Sequence, residues 1–137
     1  MKIGHDAKID LIKTVPLFAD CSKKELAEIA SSADEIDLPE GKVLIREGAT
    51  GYEFFVLVEG TVDVSQSGQK VRSMGPGDFF GEIALVAKTP RSATVEATSP
   101  VSALVIEARS FRALLEHSPQ IQLRVLQSLA ERVAQTA

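Results

Sequence analysis

Residues 80–95 read Phe-Gly-Glu-Ile-Ala-Leu-Val-Ala-Lys-Thr-Pro-Arg-Ser-Ala-Thr-Val, and this stretch is the most informative part of the chain. Gly81 and Glu82 stand where a short helix is expected to begin, and Arg91 follows nine residues after the carboxylate. A helix N-terminus attracts a phosphate through its free N–H groups, and a guanidinium binds phosphate oxygens through a planar set of donors. A carboxylate only accepts hydrogen bonds, which suits a sugar hydroxyl. The stretch therefore predicts a site for a ligand with one anionic group and a neighbouring hydroxyl.

The same stretch resembles the phosphate-binding cassette of cyclic nucleotide-binding domains. That family includes the bacterial catabolite activator and the regulatory subunits of cAMP-dependent protein kinase. The resemblance, carried by residues 80–85 and 90–95, implies that Glu82 binds the ribose while Arg91 and Ser92 bind the cyclic phosphate. The ligand-binding residues that it implies in the cassette are Phe80, Gly81, Glu82, Ile83, Ala84, Arg91, Ser92 and Ala93.

The whole chain, residues 1–137, is predicted to be one mainly β domain with flanking helices. Residues 1–35 are expected to be helical, with a capping box at Ser22-Lys23-Lys24-Glu25. Between residues 36 and 107, β-branched or alternating segments are separated by turns, a pattern typical of a jelly-roll β-barrel. The strands are expected at residues 43–46, 53–58, 61–65, 70–73, 93–98 and 101–106. Residues 108–137 are expected to form two C-terminal helices that meet near Pro119.

Composition and charge exclude several classes of protein. The 45% of apolar and 25% of charged residues are ordinary for a globular protein. No apolar run approaches the ~18 residues of a membrane span, and no N-terminal signal pattern is present, so we expect a cytoplasmic protein without membrane contact. The single cysteine, Cys21, offers neither a disulfide nor a metal cluster. A net charge of −4 without a basic stripe argues against nucleic-acid binding by this chain.

The last helix has two interpretations. Its apolar positions Leu126, Leu129 and Val133 form a narrow seam, which either packs on the barrel or forms a homodimer like the central helix of the activator. The resemblance also places Thr136 where the activator contacts the adenine edge. Ser92 is compatible with both purines; we expect cAMP as the ligand, with cGMP as the alternative.

Three classes of function compete. The first is a sensor or regulatory module in which nucleotide binding moves the C-terminal helices, read out by an effector that the sequence does not identify. The second is a ligand-free protein-interaction scaffold with the same fold. The third is an enzyme, which the sequence disfavours because His5 and His117 lie far apart and no nucleophile has a neighbouring base. No catalytic residue, no metal and no cofactor besides the nucleotide ligand are therefore expected.

Overall fold

The computed structural model describes residues 4–15, 18–81 and 89–136, in the order helices, strands, helices. Helices α1 (His5–Thr14) and α2 (Lys23–Ser32) come first. The strands are β1 (Ala33–Leu38), β2 (Val43–Ile45), β3 (Glu53–Glu59), β4 (Val62–Gln66), β5 (Gln69–Met74), β6 (Phe79–Phe80), β7 (Thr94–Ala97) and β8 (Val101–Glu107). Helices α3 (Ala108–His117) and α4 (Pro119–Thr136) follow. In these ranges no helix combines the length and the apolar character that crossing a membrane requires.

The described strands form two antiparallel sheets. Their strand orders are β1-β8-β3-β6 and β2-β7-β4-β5. Residues from both sheets share one apolar core, in which Phe55 and Leu57 of the first sheet meet Val64 and Val95 of the second. The predicted jelly roll with flanking helices is confirmed, as two four-stranded sheets and not as a single closed barrel.

Strand β3 separates this core from a second one. Because side chains alternate along a strand, Phe55 and Leu57 face the other sheet, while Phe54 and Val56 lie in the core that the helices cover. The helical core contains three fully buried rings. The ring of Phe54 lies 5.9 Å from that of Phe18 and 5.7 Å from that of Phe111, measured between centroids. β3 is therefore buried on both faces.

The predicted capping box at the start of α2 is present. Ser22 Oγ accepts from the backbone N–H of Glu25 at 3.2 Å, and the Glu25 carboxylate accepts from the Ser22 N–H at 2.8 Å. A hydrogen bond from the Ser118 hydroxyl, followed by the one from the Ser22 backbone, lowers the pKa of Glu25. Arg124 of α4 also pairs with Asp20. These polar contacts fasten the start of α4 to the N-terminal helices.

Two strands fall outside the sequence-based expectation. β1 begins at Ala33, within the residues expected to be helical, and pairs along its length with β8 from Ala33↔Ile106 to Leu38↔Val101. β6 is only two residues long, and it pairs with β3 through Phe55↔Phe80 and Val56↔Phe79. Both strands form because a neighbouring strand supplies backbone hydrogen-bond partners. This pairing is not visible in the local sequence.

Candidate functional site

Arg91 lies just before β7, in a loop that is tied to the loop between β2 and β3. Its backbone N–H donates to the carbonyl of Ala49 at 2.8 Å, and its own carbonyl accepts from the N–H of Gly48 at 2.8 Å. These two bonds join loops more than forty positions apart in sequence. The backbone of the predicted anion-binding residue is thus held by the fold itself.

The guanidinium of Arg91 is buried, with 7% of the residue exposed. Nη2 donates to the carbonyl of Glu53 at 2.8 Å, and Nη1 donates to the carbonyl of Gly81 at 3.2 Å. Both acceptors are backbone carbonyls, and these bonds orient the guanidinium. A guanidinium held in this way can form charge-assisted hydrogen bonds with an anionic group of a ligand.

Two glycines make room for this guanidinium. A Cβ on Gly51 would lie 1.9 Å from Arg91 Nε, so no larger residue fits there while Arg91 keeps its position. Gly81 has a φ of +96°, and a Cβ would lie 2.7 Å from the Glu53 carbonyl oxygen and 3.0 Å from Arg91 Nη1. Gly81 was among the predicted site residues. Gly51 was missed, because its turn sequence gives no sign that a distant arginine fills the space beside it.

The other described cassette residues have different surroundings. Phe80 is 3% exposed, and its ring stacks on Phe55 with centroids 5.1 Å apart, so its side chain belongs to the core between the sheets. Ser92 is exposed, and its carbonyl accepts from Gln66 Nε2 at 3.2 Å. Ala93 is half-buried against the same core. Ser92 is therefore available at the surface beside the buried Arg91.

Some predicted residues lie outside what the structure describes. Glu82, Ile83 and Ala84 fall between the second and third described ranges. Thr136 is the last residue of α4, but its side chain is not among those described. Their roles stay predictions.

The Arg91 site lies next to the base of the C-terminal helices. Glu53, whose carbonyl accepts from Arg91, directly follows Tyr52, whose carbonyl accepts from the N–H of Ala108 at 2.6 Å. Ala108 is the first residue of α3. Two consecutive carbonyl groups thus connect Arg91, the predicted anion-binding residue, with the start of α3.

A second guanidinium lies on the inner face of the second sheet. Arg72 of β5 is directly opposite Val64 of β4, and Val64 is opposite Val95 of β7. Residues directly opposite in an antiparallel pair project to the same face, and both valines lie in the core between the sheets. Arg72 is half-buried on that face. Sequence reasoning missed it, although its two-residue spacing from the buried Met74 was a usable signal.

The described residues contain neither a metal-binding cluster nor a reactive cysteine. In this part of the chain no group of three or more His, Cys, Asp or Glu side chains could hold a metal ion. Burial, and then the nearby carboxylates of Glu25 and Asp20, raise the pKa of the Cys21 thiol to about 11. Its thiolate, the nucleophilic form, is therefore scarce at neutral pH.

The family model of the cyclic nucleotide-binding domain matches residues 35–118, which is more than half of the chain. The chain belongs to this family. Cyclic nucleotide-binding domains are regulatory or sensor modules, and that is the role of this domain.

Similar proteins carry such domains as parts of larger chains. A cyclic nucleotide-gated potassium channel of Rhizobium etli is 38% identical over 122 residues, which are 89% of this chain and 34% of the channel. A cGMP-dependent protein kinase of Drosophila melanogaster is 34% identical over 123 residues, covering 84% of this chain and 13% of the kinase. A solved structure of cAMP-bound PfPKA-R is 25% identical with a TM-score of 0.82, covering 96% of this chain and 47% of that chain. This chain thus spans about a third or less of the length of these two curated relatives.

Proposed function

We propose that this cyclic nucleotide-binding domain binds cAMP and passes the binding event to its C-terminal helices. The observation that supports the proposal most is the buried Arg91 guanidinium, oriented by the neutral carbonyls of Glu53 and Gly81. A cyclic phosphate carries one negative charge that such a guanidinium meets with charge-assisted hydrogen bonds. The exposed Ser92 hydroxyl beside it is the second phosphate contact.

The remaining contacts follow from the family resemblance. Glu82 accepts from the ribose 2′-hydroxyl, and the backbone around Ile83 and Ala84 faces the phosphate at a helix start. Thr136 contacts the purine. A structure of the ligand-bound protein tests these proposed roles.

The choice of purine has support on both sides. The 25% identical PfPKA-R structure contains cAMP, whereas the kinase from Drosophila melanogaster is named for cGMP. Arg72 on the inner face of β5 is the residue at which we propose to test the second candidate, cGMP, because a guanidinium can donate to guanine O6 and N7, whereas adenine presents an amino donor in place of O6. We keep cAMP as the first candidate and make Arg72 part of the test.

The output is a shift of α3 and α4. A phosphate bound at Arg91 draws the guanidinium toward the ligand and thereby shifts the carbonyls of Glu53 and Gly81 that it holds. Any displacement of Glu53 reaches Ala108 through the adjoining Tyr52 carbonyl. Ligand binding then favours one of two arrangements of the helices, and an effector, either another protein or another domain, reads the change.

A homodimer through α4 is part of the proposal. Leu123 and Leu126 are 56% and 63% exposed, an unusual exposure for two leucines three residues apart on one helix. The side chains of Leu129 and Val133, which complete the predicted seam, lie outside the described part. Sedimentation of the wild-type protein and of the Leu126→Glu variant, each with and without nucleotide, checks the dimer. A dimer through this seam should be weakened by Leu126→Glu.

The proposal also includes the location of the domain and the activities and contacts that we expect it to lack. We expect the domain to have no catalytic activity of its own, to act in the cytoplasm and to contact neither membrane nor nucleic acid. The alternative is a scaffold that keeps the fold but binds no nucleotide.

The decisive experiment is calorimetric titration with cAMP and, in parallel, cGMP. The protein is first unfolded and refolded, so that no nucleotide retained from purification masks the site. We expect one-to-one binding, weakened about 10–100-fold by Arg91→Ala, because a hydrogen bond to a charged group contributes about 1.5–3 kcal/mol. Arg46→Ala is the matched control: Arg46 is exposed, and its removal changes the net charge equally.

Three results would contradict the proposal or one part of it. Equal affinities for Arg91→Ala and Arg46→Ala would show that Arg91 does not bind the phosphate. Folded protein that gives no heat with either nucleotide would support the ligand-free scaffold instead. A preference for cGMP that Arg72→Ala removes would replace cAMP by the second candidate.

A further inference from the structure

A groove lies where α3 leaves the first sheet. Its described lining comes from β1, β3, β8 and α3, and it has a volume of about 960 Å³. Ile36 and Val105 form an apolar floor and are only half-buried, although both pack on the core between the sheets. Tyr52 at the rim is 62% exposed. A monomeric domain gains little by leaving such apolar surface in contact with water.

The rim carries an unfavourable arrangement of charges. Glu53 of β3 and Glu107 of β8 are directly opposite each other in the ladder, and like charges at such positions destabilise a sheet. Asp34 of β1 is opposite Val105, two residues before Glu107, so it lies on the same face. Three neighbouring strands therefore present three exposed carboxylates along one line.

Charges on α3 do not reverse this sign. Glu116 adds a fourth carboxylate to the lining, while Arg109 and Arg112 contribute two guanidinium groups. The described lining of the groove thus has a net charge of −2. Its carboxylates are not gathered into a cluster that could hold a metal ion, within the described residues. Spaced negative charges around an apolar floor complement positive charges that are spaced along a chain.

We infer that this groove binds a basic amphipathic segment of a partner protein. Apolar side chains of the segment cover Ile36 and Val105, and its lysine or arginine side chains lie between Glu53 and Glu107 and relieve their repulsion. Ala108 and Arg109, which begin α3, line the same groove, so the partner contacts the helix whose position is the proposed output. Partner binding itself requires no nucleotide, and its test is separate from that of the nucleotide site.

The test uses the whole chain without nucleotide and a labelled amphipathic helical peptide of leucine and lysine as the probe. Fluorescence anisotropy measures its affinity for the wild-type protein and for the double variant Glu53→Gln/Glu107→Gln. We expect the double variant to bind about 3–10-fold more weakly, because two charge pairs made by exposed carboxylates are lost. Both side chains are exposed, and Glu107 makes no side-chain capping bond to α3, so the variant is expected to fold.

The matched control is Glu40→Gln/Glu59→Gln, which changes the net charge equally at two exposed positions outside the groove lining. It should leave the affinity within twofold of the wild type. The inference is overturned if the lysine peptide does not bind, if both double variants weaken it equally, or if a peptide with glutamate in place of lysine binds as well. Self-association without peptide that only the groove variant alters would assign the surface to a second copy and would also overturn it.

Discussion

Two adjacent positions at the start of strand β3 show how differently this domain uses burial. At the second position, Phe54 lies in an apolar core among aromatic rings from α3 and from the segment between α1 and α2. At the first position, the Glu53 carbonyl holds the buried cation of Arg91 beside two glycines. Burial of rings stabilises the fold, whereas the buried guanidinium is the group that we propose binds the nucleotide. Under that proposal, fold stability depends on the side chain of Phe54 and nucleotide binding on the carbonyl of Glu53, at the adjacent position of the strand.

The largest effect on stability should come from the aromatic core. Phe18→Ala removes a ring that is fully buried against Phe54 and Phe111, and we expect the free energy of unfolding to fall by about 3–5 kcal/mol. Urea titration measures this loss. Tyr52→Ala, which removes an aromatic ring that is 62% exposed, is the control and should cost less than about 1 kcal/mol.

The Phe18→Ala variant also tests whether the aromatic core affects nucleotide binding. Nucleotide affinity, measured on the folded fraction of Phe18→Ala, should stay within about threefold of the wild type, because the ring lies on the face of β3 away from the core between the sheets. A tenfold loss would mean that the aromatic core also sets the geometry of the site, and the comparison would fail.

A smaller effect on nucleotide affinity is expected when the space around the Arg91 guanidinium is reduced but the side chain itself is kept. In Gly51→Ala the new methyl group would overlap the Arg91 side chain, so the guanidinium must leave its position between the two carbonyls. We expect nucleotide affinity to fall about tenfold, equivalent to the loss of one charge-assisted hydrogen bond, by calorimetry. Gly75→Ala is the matched control, because nothing lies within 4 Å of its added Cβ. Equal affinities for the two variants would show that the position of Arg91 in the free protein does not govern binding.

The smallest effect on stability is expected at the capping box of α2, outside the two regions compared above. It gives a reference value for the larger effects. Glu25→Ala removes the carboxylate that bonds both Ser22 and Ser118, and we expect a loss of about 1 kcal/mol at neutral pH. The folded state lowers the pKa of Glu25, so its contribution is present above the ordinary value of 4.5 and disappears as the pH falls through the folded pKa. The difference from the wild type should therefore shrink in acid.

Urea titrations at several pH values measure this difference. Glu28→Ala, at an exposed position of the same helix, should change the free energy of unfolding by less than about 0.5 kcal/mol. A Glu25 effect that stays constant down to pH 3 would rule out the proposed role of the carboxylate.

The sequence predicted what local patterns encode. The capping box at Ser22 and Glu25 is visible because both partners are three residues apart, and β3 is visible because Phe54 to Leu57 is continuously apolar. β1 was not predicted as a strand because it contains three acidic residues, and only its pairing with β8 makes it one. Gly51 was missed for the same reason, since its role depends on Arg91, forty positions away. Arg72 was missed although its two-residue spacing from Met74 was a local signal.

The connection from Arg91 to α3 has a consequence for how such domains diverge. It passes through the backbone carbonyls of Glu53 and Tyr52, and every amino acid supplies a carbonyl group. Substitution at positions 52 and 53 can therefore alter the groove that their side chains line while the backbone link from Arg91 to α3 is inherited unchanged. Under the two proposals made above, a lineage can exchange one downstream protein for another by mutating this surface and keep its ligand response.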